Sequence, residues 1–134
     1  MTIAENKRLI ERFIQEVFAE GRPDAVDELV ASEFRSHTWG PDGMDRDGLR
    51  DAMRRMAAAL SDIRFTIEDS VAEGDRVAVR LTASATQTGA YLGMPPSGRR
   101  YTIGEIHLFR IADGRIVEHW HQYDQPGLLR QLQG

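Results

Sequence analysis

Residues 100–124 read RYTIGEIHLFRIADGRIVEHWHQYD, and the alternation within this stretch decides the fold class. On the first arm Ile103, Glu105, His107 and Phe109 share one face, while Ile106 and Leu108 share the other. On the second arm Val117, His119, His121 and Tyr123 alternate with Ile116 and Trp120. A period of two marks half-buried antiparallel strands. Ala112-Asp113-Gly114 separates the arms, and Asp followed by Gly is a strong hairpin signal. A three-residue loop, a type I turn closed by a left-handed Gly114, sets His107 opposite His119, Phe109 opposite Val117, Glu105 opposite His121 and Ile103 opposite Tyr123. A two-residue loop would set His107 opposite Trp120; the three-residue loop is the expectation.

Upstream, Ile63, Phe65 and Ile67 alternate with polar residues, as do Val77, Val79 and Leu81, with a turn at Ala72-Glu73-Gly74-Asp75. Before Asp62 the period is helical. Leu9, Ile10, Phe13, Ile14, Val17 and Phe18 form one stripe of a helix from about Glu5 to Glu20, stopped by Gly21-Arg22-Pro23. A short second helix passes through Ala25, Val26, Leu29 and Val30. After a loop containing Trp39, Pro41 and Gly43, a third helix runs from about Asp45 to Leu60. Helices followed by an antiparallel meander predict one α+β domain over residues 1–134, with three N-terminal helices packed on a strongly curved antiparallel sheet. The outer face, with Ile106, Leu108, Ile116 and Trp120, then needs a cover, and a second subunit supplies one: a homodimer is expected.

Composition narrows the function classes. The 134 residues are 41% hydrophobic and 28% charged, with net charge −4. Without a continuous basic stripe, nucleic acid is an unexpected partner. The absence of cysteine removes disulfides, thiolate nucleophiles and zinc–thiolate sites. No apolar span is long enough for a bilayer, so no membrane association and a cytoplasmic location are expected.

Three segments, Gly93-Met94-Pro95-Pro96-Ser97-Gly98-Arg99-Arg100, then Glu105 to Ile116, then Asp124 with Gly127-Leu128-Leu129-Arg130-Gln131-Leu132, resemble the SnoaL-like polyketide cyclases in order and spacing. With the opening helices the likeness covers nearly the whole chain. It implies a cone of the nuclear transport factor two-like type around one apolar pocket, usually dimeric, with no cofactor and no bound metal. Members of that family close a ring in a polyketide intermediate by an intramolecular aldol reaction, and relatives hydroxylate or open epoxides. In the aldol cyclases the acid/base is an aspartate on the last strand, a position held here by His121. His107 matches a family active-site histidine, and Glu105 stands where those cyclases carry a neutral glutamine.

On the residues themselves, Glu105 opposite His121 makes a carboxylate–imidazole pair, which suits abstraction of a proton α to a carbonyl. The expected catalytic roles are His121 as base, Glu105 as its orienter and His107 as hydrogen-bond donor to the developing oxyanion. His37, Trp39, Tyr91, Met94, His119 and Tyr123 are the candidate substrate-binding residues, with Tyr91 to Pro96 as a lid. Asp124 is expected to cap the C-terminal helix. The expected function is a cofactor-independent cyclase acting on a polyketide-like or other bulky apolar intermediate. A hydrolase or epoxide-opening enzyme in the same pocket and a non-catalytic small-molecule-binding domain are the alternatives. His119-x-His121 with His107 and Glu105 also offers the ligand types of a cupin-like metal site, although no metal is expected.

Overall fold

The computed structural model describes residues 1–38 and 41–134. Thr2 caps α1 (Ile3–Phe13), its side chain accepting from the Glu5 N–H. The apolar stripe then continues through a π-helical segment, Ile14–Ala19, where the Glu20 N–H reaches back to the Gln15 carbonyl. Pro23 opens α2 (Pro23–Leu29) at a position where its missing N–H costs nothing. After β1 (Val30–Ser36), Asp45 caps α3 (Arg46–Ala59) by accepting from the Gly48 N–H. Four long elements follow: β2 (Leu60–Glu73), β3 (Arg76–Gln87), β4 (Arg100–Ala112) and β5 (Arg115–Tyr123). The described chain ends with α4 (Gln125–Gln133), which Asp124 caps as expected by accepting from the Gly127 N–H.

The sheet order is β1-β5-β4-β3-β2. The three meander pairs are antiparallel, but β1 pairs with β5 in parallel, setting Ser36 against His119. The expectation of a purely antiparallel sheet is corrected on this point. Val30, read above as the end of the second helix, begins that strand. Register shifts in β2, between Ser61 and Arg64 and between Ile67 and Asp69, mark irregularities of the kind that bend a sheet.

The main core lies between α1, its π extension, α2 and α3 and the inner sheet face, around Ile10, Phe13, Val17, Phe34, Leu81 and Phe109. A second cluster under α4 joins Leu128 and Leu132 to Tyr101, Ile103 and Ala85. Between them the inner face turns polar. No helix among the described residues is long and apolar enough to cross a membrane.

Candidate functional site

The β4–β5 hairpin positions the site, and its turn differs from the expectation. Asp113 and Gly114 both have positive φ, +51° and +75°, and they form a two-residue loop with Ala112 paired to Arg115. Two consecutive left-handed residues are what a type I′ turn requires, and Asp-Gly supplies them. Further along, Ile111 pairs with Ile116 but Arg110 pairs with Glu118, so Val117 is an extra residue in β5. This bulge shifts the frame by one and restores the expected parity of faces. Each cross-strand partner is nevertheless displaced by two residues. His107 faces His121, Phe109 faces His119, and Glu105 faces Tyr123 instead of His121. The bulge also turns Ile116 into the core, fully buried, and not onto the outer face.

The expected pairing of Glu105 with His121 is therefore corrected. Glu105 bonds its same-strand neighbour, with His107 Nε2 2.8 Å from Glu105 Oε1. The other ring nitrogen, His107 Nδ1, lies 2.7 Å from His119 Nε2, and His119 Nδ1 lies 2.8 Å from Ser36 Oγ. A continuous chain Ser36–His119–His107–Glu105 results. His121 stands beside it, its Nδ1 3.0 Å from Thr38 Oγ1, which also accepts from the His121 backbone N–H at 2.9 Å. The three imidazole centroids are 5.0 to 5.2 Å apart, and Phe18, delivered by the π-helical segment, leans on His107 at 5.3 Å.

A pocket of about 320 Å³ opens onto this cluster, large enough for a small organic ligand. Glu105, His107, His121, Tyr123 and Tyr91 line it together with Phe18, Met53, Met56, Phe65 and Leu128. Glu105 is the one carboxylate among the described lining residues. Burial, and then the neighbouring His107, push His121 down to about 4, so its ring is neutral near pH 7. Burial pushes the Tyr91 phenol up to about 12, which leaves it a hydrogen-bond donor.

Other candidates fall elsewhere. His37 lies on the far side of the sheet, bonded to Glu118 at 2.8 Å and stacked on Trp120 at 5.0 Å. His119 is buried beneath the cluster, and neither it nor Met94 lines the pocket. Met94 forms a bridge with Tyr91 at the loop that follows β3. Trp39 lies outside the described residues. Ser36, at the end of an unrecognised parallel strand, and Thr38, in the bend just after it, were not foreseen, since short hydroxyl residues there carry no signal of their own. His107, His119 and His121 offer nitrogens within 4.8 Å of one another, a spacing a metal ion could bridge. Both nitrogens of His107 and both of His119 are already engaged in the hydrogen-bonded chain, so ligation there would have to break it.

The sequence model of the SnoaL-like polyketide cyclases matches residues 8–132. The chain is 29% identical over 123 residues to the nogalonic acid methyl ester cyclase of Streptomyces nogalater, covering 86% of this chain and 88% of that one. It is 27% identical over 132 residues to the aklanonic acid methyl ester cyclase DnrD of Streptomyces peucetius, covering 92% and 88%. Its structure resembles that of TsrD from Streptomyces laurentii with a TM-score of 0.89 at 37% identity, covering 98% and 97% of the two chains.

Proposed function

The chain belongs to the SnoaL-like polyketide cyclase family, and from that premise we propose that its pocket closes a ring in a polyketide-like ester by an intramolecular aldol reaction with Glu105 as the base. The observation that carries this reading is that Glu105 is the single carboxylate among the described residues lining the pocket, held by one imidazole and facing a cavity whose other polar groups, Arg55, His121 and three tyrosines, are donors when the ring is neutral. In this mechanism the carboxylate takes a proton from the carbon α to a carbonyl. The enolate carbon attacks a second carbonyl carbon of the same molecule, and the new alkoxide oxygen takes the proton back. The product is an isomer of the substrate.

His121 takes the other part. Its ring, pushed down to about 4 chiefly by burial, is neutral near pH 7, and a neutral N–H is a good donor to an oxygen that gains negative charge. In this reading Glu105 takes the base role expected of His121, His121 takes the donor role expected of His107, and His107 orients Glu105, with Tyr123 and Tyr91 as further donors along the wall. We also propose a homodimer, supported by Ile106 at 57% exposure beside half-buried Leu108 and Trp120 on the outer face. Ile106→Glu should then lower the mass seen by sedimentation.

The test is direct incubation with nogalonic acid methyl ester and with aklanonic acid methyl ester, followed by chromatography and mass spectrometry. A new product of unchanged mass is expected from the wild type, formed about two to four orders of magnitude more slowly by Glu105→Gln. The free acid, lighter than the ester by one CH2 and accompanied by methanol, would make the enzyme a hydrolase. Saturable binding without turnover would reduce it to a binding domain.

A further inference from the structure

Two members of the hydrogen-bonded chain never reach the pocket. Ser36 is fully buried and His119 is 3% exposed, and neither lines the cavity. Ser36 is held there by its backbone: its N–H donates to the Met44 carbonyl, and the Met44 N–H donates back to the Ser36 carbonyl. Its hydroxyl meets His119 Nδ1 as its side-chain partner.

Counting protons fixes the direction of every bond in the chain. A serine hydroxyl carries one hydrogen, and among the described residues His119 Nδ1 is the side-chain partner of Ser36 Oγ; turning the hydrogen away from it would leave a buried donor unmade, so Ser36 donates and His119 Nδ1 is bare. Burial, and then the neighbouring His107 and His121, hold His119 well below the usual imidazole range, so its ring is neutral and its proton sits on Nε2. That N–H faces His107 Nδ1, which must accept. The remaining proton of His107 is therefore on Nε2, directed at Glu105 Oε1.

We propose that Ser36 and His119 are positioning residues that lock His107 in its Nε2–H tautomer, so that Glu105 Oε1 always meets a donor and a proton taken from substrate stays on the pocket side. The catalytic half of this statement rests on the reading of Glu105 as the base; the tautomer lock is observable without substrate. The opposite polarity, a charged His107 donating into His119 and onward to Ser36, would leave the serine hydrogen without its acceptor and place a cation among three stacked rings.

Protein labelled with ¹⁵N-histidine and examined by two-bond ¹H–¹⁵N correlation at pH 7 tests the lock, with the amide fingerprint reporting the fold. Both His107 and His119 should show a protonated Nε2 and a bare Nδ1. Ser36→Ala should give mixed tautomers in both rings. His119→Gln, whose amide can replace the Nε2–H, should keep His107 in its tautomer, and His119→Leu should release it. With aklanonic acid methyl ester as probe, kcat should fall about 10- to 100-fold in Ser36→Ala and His119→Leu with little change in KM, and His119→Gln should recover most of it. A charged or Nδ1–H His107 in the wild type overturns the proposal. So do tautomers indifferent to Ser36→Ala, or mixed tautomers with undiminished kcat. If the wild type turns over no ester, the cyclase reading fails, while the nitrogen spectra still decide the lock.

Discussion

His121 is buried in a wall made mostly of carbon and stands about 5 Å from His107, and both circumstances, burial first, oppose its protonation. A donor and a base answer differently to substitution. His121→Gln retains an N–H near the ring's position and should keep much of the turnover of nogalonic acid methyl ester, whereas His121→Leu should lower kcat by roughly 10²- to 10³-fold, the usual worth of one oxyanion donor. Glu105→Gln should cost about two to four orders of magnitude, the worth of a general base. Equal loss in both His121 variants, with Glu105→Gln mild, would restore His121 as the base. At this scale the sequence was informative about faces and poor about partners. Alternation alone placed Glu105, His107, His121 and Tyr123 on one side. The bond from Glu105 to His107 instead of His121 depended on a turn and a bulge whose combined two-residue displacement no local pattern records.

That turn is the element on which the site depends. Asp113 at φ +51° and Gly114 at φ +75° occupy backbone that aspartate and glycine tolerate and branched residues resist. Asp113→Gly should be nearly neutral by urea denaturation, and Asp113→Val should destabilise by about 1–2 kcal/mol. Equal stability of the two would contradict the I′ assignment. The long strands were legible because one face of each is buried and period two survives. By contrast β1 was hidden. In Val30–Ser36 two buried residues are followed by two exposed ones before any alternation starts, and its stability comes from a parallel partner 80-odd residues away. The π-helical segment was hidden for the opposite reason: Val17 and Phe18 fit the stripe of an ordinary helix, and only the Glu20-to-Gln15 bond shows the wider turn that sets Phe18 on His107.

For the whole molecule, the buried imidazoles couple folding to pH. In the unfolded chain His119 and His121 titrate near 6.5; in the folded protein His121 is pushed to about 4 and His119 also well down, both chiefly by burial. As pH falls below 6.5 the unfolded state takes up protons that the folded state refuses, so stability is fully present above 6.5 and declines toward 4. His121 alone accounts for a loss on the order of 3 kcal/mol across that interval, with His119 adding in the same direction. The carboxylates held low by arginines, Glu16, Asp24 and Glu118, lose stability only below their ordinary values of 4.5, 3.8 and 4.5, so the window from 6.5 to 5 belongs to the histidines. Urea midpoints should be flat from pH 7.5 to 6.5 and fall steadily to pH 5, and His121→Asn should flatten part of that slope. A midpoint constant down to pH 5 would mean that these rings are hydrated or charged in the folded state, and the neutral cluster that gives Glu105 its donor would not exist.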